Sequence, residues 1–186
     1  MVVSNATSAV TYERVALRDP DGQWELYDGV LREKPGMSVE HNDVMYELSR
    51  WLGNQLDRNR FRVRANSARL RVGEQNYYIP DVVVIPAEAE QALRGRPGRL
   101  EVYVDPLPLV VEIRSPSTGS YDINEKLAGY QQRGDQEIWR IHPYDRTLTT
   151  WRRRSDGGYD ETVYKKGTVE PVELPGVMID LDALWT

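Results

Sequence analysis

A chain of 186 residues with 40% hydrophobic and 28% charged side chains is long enough for one self-supporting domain and unlike a disordered segment. It has no cysteine, which excludes a disulfide framework, thiolate zinc sites, iron–sulfur clusters and a cysteine nucleophile, and fits a cytoplasmic setting. A net charge of −5 argues against coating nucleic acid through overall charge, no apolar run approaches the ~20 residues of a membrane span, and no secretion signal is legible, so no membrane partner is expected.

Residues 1–22 are polar and weakly patterned, and read as an N-terminal tail with a short helical turn ahead of a single domain over 23–186. WELYDGVLRE is two short half-buried strands around Asp28-Gly29, a strong hairpin signal. From Glu40 to about Asp57, Val44, Leu48, Trp51, Leu52 and Leu56 recur at helical spacing, with Ser38 as cap. Phe61, Val63 and Ala65 alternate with arginines, and Leu70 and Val72 continue with shifted parity, which predicts a bulge near Asn66-Ser67. YYIPDVVVIP is apolar on both faces and predicts a central strand. A long loop over 86–107 precedes a third strand, LPLVVEIR. A helix follows from Asp122 to Arg133, then a fourth strand, EIWRIHP, a hairpin turning at 156–158, and a terminal strand and helical turn. The fold class is α/β: a central mixed sheet flanked by helices, with added N- and C-terminal hairpins.

Asp81 and Glu112 each stand inside an apolar strand, IPDVVVI and LVVEIR. A buried carboxylate needs a positive partner or shifts its pKa. Consecutive strands are usually neighbours, so the two acids can meet at one spot. Two carboxylates with a backbone carbonyl and waters hold Mg²⁺; an ion pair with Arg62, Arg64 or Arg114 is the alternative. With only His41 and His142 in the chain, a metal site must lean on oxygen ligands. Lysine is scarce, four residues against 20 arginines, and Lys126 is the one lysine between Lys34 and Lys165. It shares a helix face with Asp122, which is also a capping candidate, and follows the Glu112 strand closely enough to fold back over its end.

P-D-V-V-V, V-E-I-x-S-P-S-T, D-x-x-x-K-x-x-x-Y and G-x-x-x-I-W-x-I-x-P resemble the Uma-two family of restriction-endonuclease-like proteins, in the PD-(D/E)XK nuclease superfamily. The WELYDGVL hairpin, EHNDVMYEL and the closing LPGVMIDLDALW are similar too, so the resemblance runs from about Trp24 to Trp185. It implies a restriction-endonuclease-like fold and a Mg²⁺-dependent DNA endonuclease, with Mn²⁺ as a substitute. Asp81, Glu112 and the Ile113 carbonyl are the implied metal ligands and Lys126 the catalytic lysine, moved from strand to helix. Asp122 and His41 match further family positions; His41 shares a face with Val44 and Leu48 and also reads as a hydrogen-bonded core histidine. The chain departs from the family at Arg114, which could pair with Glu112 and compete with a metal, and at His142. The alternative function is a nuclease-fold binding or regulatory module.

Tyr144, Trp151, Arg152, Arg153, Arg154, Lys165 and Lys166 make a basic aromatic hairpin that could grip phosphates, but Asp156, Asp160 and Glu161 lie beside it and favour a neutralised surface. Trp24, Tyr27, Trp151, Tyr159, Tyr164 and Trp185 are a surplus of large apolar rings in the flanking hairpins and chain end, which suggests a homodimer interface.

Overall fold

The computed structural model describes residues 7–19, 21–115 and 120–185, with backbone alone for 120–123. The expected tail carries a ten-residue helix, α1 (Ala9–Arg18), capped by Ser8, whose hydroxyl accepts from the Thr11 N–H. Tyr12 and Ala16, one turn apart, bury its inner face against Leu26 and Tyr77. β1 (Trp24–Tyr27) and β2 (Val30–Glu33) form the expected hairpin. Asp28 and Gly29 both take positive φ, 46° and 75°, as a two-residue type I′ turn demands. α2 (Val39–Gln55) starts at the Ser38 cap and buries His41, Val44, Leu48 and Leu52.

In place of a bulge, the chain changes sheets. β3 (Phe61–Ala65) is the edge of a six-stranded sheet, and β4 (Arg69–Val72) belongs to a five-stranded one. Asn66, between them, has φ 52°, a left-handed conformation that asparagine tolerates. YYIPDVVVIP is divided in the same way: β5 (Asn76–Tyr78) pairs with β1 and β4, and β6 (Val82–Pro86) pairs with β3. Pro80 lacks an N–H to donate, so the ladder breaks there and Asp81 is left at the junction. The stretch expected to be loop holds α3 (Ala87–Gln91) and β7 (Val102–Tyr103), which pairs with β4.

β8 (Leu109–Ile113) lies antiparallel to β6 and parallel to β9 (Glu137–His142). A parallel pair needs a crossover, and α4 (Ser120–Arg133) supplies it. β10 (Thr147–Arg153) and β11 (Tyr159–Tyr164) extend the sheet, giving the order β11-β10-β9-β8-β6-β3. β12 (Thr168–Val169), β13 (Ile179–Asp180) and α5 (Leu181–Leu184) close over α2. β6 is central, as expected, and Val82, Val83, Val84 and Ile85 are fully buried. Along β8, Leu109, Val111 and Ile113 face the core shared with α2. Val110 and Glu112 have the opposite parity, toward the core shared with α4 and the smaller sheet.

Of the six aromatics read as interface candidates, two are buried and four half-buried. Tyr27 and Trp151 are core residues, and Trp24, Tyr159, Tyr164 and Trp185 pack against the three cores. None of the six is among the exposed side chains. No helix among the described residues is long and apolar enough to cross a membrane.

Candidate active site

The two changes of sheet, the first hairpin, the end of β8 and the middle of α4 converge. Asp81 is 1% exposed and held from three sides. Its Oδ1 lies 2.6 Å from Lys34 Nζ. Its Oδ2 accepts from the Ile113 N–H at 2.6 Å and lies 3.1 Å from His41 Nε2. The His41 contact is close but poorly aligned, and Nδ1 of this fully buried ring meets no partner among the described residues. Burial pushes the Asp81 carboxyl up, but the Lys34 ammonium and the His41 ring outweigh it and hold the group well below the usual carboxylate range.

Glu112 is the opposite case. It follows Val111 in β8 and precedes the Ile113 amide that binds Asp81, so the two acids are linked through a single peptide unit. Tyr130, in the last turn of α4, donates its hydroxyl to Glu112 Oε1 at 2.5 Å. Burial, with Glu112 beside it, keeps that hydroxyl protonated by raising it well above the usual tyrosine range. Burial also pushes the Glu112 carboxyl up to about 7; Lys126 pulls it down and Asp81 adds to the rise. The site thus pairs an acid held below the usual carboxylate range with one pushed up to about 7, a division that recurs in catalytic carboxylate pairs.

Lys126 lies where its short distance from the Glu112 strand predicts. Its Nζ is 3.5 Å from Glu112 Oε1 and 2.9 Å from Glu25 Oε1. Glu25 and Lys34 belong to the site and were not singled out from the sequence. Glu25 is 3% exposed, accepts from the Ile79 N–H at 2.6 Å and from the Tyr27 hydroxyl at 3.0 Å, and ties the smaller sheet to α4 through Lys126. It carried the signal that marked Asp81 and Glu112, an acid among apolar strand neighbours. Lys34 carried the signal of lysine scarcity.

Arg62 and Arg64, offered as partners of the buried acids, pair with Glu90 at 3.7 and 3.2 Å, and Arg64 also with Glu101 at 2.8 Å. Arg114 is exposed and makes no ion pair with Glu112 or any other described residue, so it does not compete for that carboxylate. Arg140, opposite Glu112 on β9, lies over the Trp151 ring with its guanidinium carbon 4.8 Å from the centroid. Burial and then the charge of Arg114 lower the Arg140 pKa. The Asp122 side chain lies outside the described residues. Among those residues, no three His, Asp or Glu side chains gather into a ready-made metal cage. In the terminal hairpin, Arg154 pairs with Asp156 and Asp160, Arg152 with Glu137, and Trp151 Nε1 donates to Glu161, so that face is largely neutralised.

This arrangement can be set against known proteins. A crystal structure of a "putative nuclease belonging to DUF820" from Anabaena variabilis ATCC 29413 aligns with a TM-score of 0.72 over 87% of this chain and 89% of that one, at 16% identity. The fold is accordingly the restriction-endonuclease-like one expected from the sequence. The uncharacterized protein sll1609 of Synechocystis sp. (strain ATCC 27184 / PCC 6803 / Kazusa) is 27% identical over 108 residues, 58% of this chain and 58% of that protein. The match thus spans a little over half the length of this curated relative. The model of the Uma2 family, described as "Putative restriction endonuclease", matches residues 9–182, nearly the whole described chain, and the protein therefore belongs to the Uma2 family.

Proposed function

We propose that the protein is a metal-dependent DNA endonuclease that hydrolyses phosphodiester bonds at the Asp81–Glu112–Lys126 centre. The observation that carries this reading is the meeting of the three at one strand end: Asp81 is bound to the amide after Glu112, and Lys126 stands 3.5 Å from Glu112. Arg114, exposed just beyond β8, and Arg140, in register with Glu112 on β9, offer positive charge on this side of the sheet to a phosphate backbone.

The donor set fits a hard divalent cation. It offers oxygen ligands, and Mg²⁺ commonly takes one or two carboxylates and fills its shell with water and substrate oxygens, so a closed cage is not needed. Glu112, held near neutrality by burial, is a carboxyl that a nearby cation would ionise. Asp81, Glu112 and the Ile113 carbonyl would hold Mg²⁺, or Mn²⁺ in its place. Bound there, the ion would lower the pKa of a water and polarise the phosphate. The chain's own residues do the rest. The Ile113 N–H orients Asp81, with the His41 ring close beside it, and Tyr130 orients Glu112. The guanidinium groups of Arg114 and Arg140 grip phosphate oxygens but cannot accept a proton. As a water oxygen bonds to phosphorus and the bridging P–O bond breaks, the Lys126 ammonium stabilises the negative charge that builds on the phosphoryl oxygens.

Incubating the protein with mixed single- and double-stranded DNA tests this. Cleavage is expected with Mg²⁺ or Mn²⁺, none with a chelator, and none from Glu112→Ala. Lys126→Ala is expected to slow cleavage on the order of 10²–10³-fold, as loss of one charge-stabilising group does. A wild-type rate in that variant would remove Lys126 from catalysis. DNA binding without cleavage under every metal would leave the binding-module alternative.

A further inference from the structure

Lys34 holds a position that the proposed chemistry does not use. Its Nζ lies 2.6 Å from Asp81 Oδ1, 2.6 Å from Asn66 Oδ1 and 2.9 Å from the Ile79 carbonyl oxygen. An ammonium has three hydrogens, and each has an acceptor here. The side chain is 4% exposed, so the charge is almost wholly out of water. The acceptors are a carboxylate, an amide oxygen and a backbone carbonyl. This is the ligand chemistry of a hard metal ion, converging on one buried point.

The fold builds this cage deliberately around the two changes of sheet. Asn66 is the left-handed residue between β3 and β4, and its N–H donates to the Asp81 carbonyl at 2.9 Å. Ile79 and Asp81 flank Pro80 between β5 and β6. Lys34 itself is fixed just after β2 by its own N–H, which donates to the Gln23 carbonyl at 2.8 Å. Asp81 Oδ2 is already engaged by the Ile113 N–H and His41, so Oδ1 is the atom at which a cation can exchange.

We propose that Lys34 is a tethered cation: its ammonium and a divalent metal ion are alternative occupants at Asp81 Oδ1, so that Lys34 sets the affinity of the site for metal. This rests on Asp81 being a metal ligand in the nuclease reading. With the ammonium seated, a divalent ion at the same oxygen meets like charge in a buried setting. With the ammonium withdrawn, Oδ1 is freed for the ion that Asp81 shares with Glu112 and the Ile113 carbonyl in the proposed site. Lys34 is a positioning and competing group; it is given no contact with DNA.

The test is metal binding without DNA, followed by calorimetry with Mn²⁺. Lys34→Met keeps the length of the side chain and removes its charge, and is expected to bind Mn²⁺ on the order of tenfold tighter than the wild type. Equal or weaker binding by a folded Lys34→Met protein overturns the proposal. Because that variant leaves Asp81 without its cation, a second measurement uses the wild-type chain. It has four lysines, and the buried Lys34 ammonium is to be followed by its ¹⁵N resonance during titration with Mg²⁺. Loss of that resonance to fast water exchange, in step with binding, supports displacement; an unchanged resonance at saturating Mg²⁺ overturns it. The two readings separate cleanly. Tighter Mn²⁺ binding by Lys34→Met in a protein that never cuts DNA keeps the tethered cation and rejects the nuclease, whereas metal-dependent cutting with no gain in Lys34→Met does the reverse.

Discussion

Asp81→Ala is expected to cost the fold about 3–5 kcal/mol, the range for removing one partner of a buried ion pair. The loss comes mainly from what is left behind. Lys34 keeps its charge, 4% exposed, with only the neutral Asn66 and Ile79 oxygens as partners. The Ile113 N–H loses its acceptor at the end of β8. Replacing both members should cost much less than the two single changes summed, because Asp81→Ala/Lys34→Met leaves no bare charge. Urea unfolding in the presence of a chelator reads both quantities. The pH dependence has a definite sign. Asp81 has a folded-state pKa below the ordinary value of 3.8, so its contribution is present above that pH and is lost as acid protonates it. The gap between wild type and Asp81→Ala should therefore narrow below about pH 3.8. A variant within about 1 kcal/mol of the wild type at pH 7 would show that the Lys34–Asp81 pair does not hold the two sheets together.

Much of the site was legible in the sequence for local reasons. An acid in a run such as LVVEI needs an explanation whatever the fold, and Asp81, Glu112 and Lys126 do come together. The Asp28-Gly29 turn and the Ser38 cap are dictated by dihedral preference and by an unpaired helix N–H, both within a few residues. The parts that escaped depend on distant partners. WELY is too short for its alternation to show which face is buried, so Glu25 read as an ordinary hairpin residue. Lys34 lies outside any periodic segment, and its partners are more than thirty residues away in sequence. Sheet membership is likewise non-local: YYIPDVVVIP looks continuous because both of its halves are buried, each in a different sheet. Pro80 and Asn66 were the available signs of the break. The six aromatics suggested an interface because composition counts large rings without revealing how far the chain's own cores take them up.

Glu112 should make activity and stability run in opposite directions with pH. Burial raises its folded-state pKa from 4.5 to about 7, so the folded protein favours the protonated form. For a carboxyl shifted this way, the stabilising effect is complete below about pH 4.5, where folded and unfolded chains are both protonated, and it is lost as pH rises through 7. A shift of this size corresponds to roughly 3 kcal/mol of strain on the fold once the group is ionised. Glu112→Gln mimics the protonated state, so in a chelator it should match the wild type near pH 4 and be more stable by about 2–3 kcal/mol at pH 8. Cleavage has the reverse requirement, since metal holding needs the carboxylate. At metal concentrations that do not saturate the site, the wild-type rate should fall about tenfold for each unit below pH 7 and level off above it, and Glu112→Gln should cut at no pH. Thermal or urea unfolding across the pH range, set beside cleavage rates from the same preparations, measures both trends. If Glu112→Gln proves no more stable than the wild type at pH 8, the carboxylate is not held under strain at the end of β8. The coupling between poised acid and fold would then be rejected.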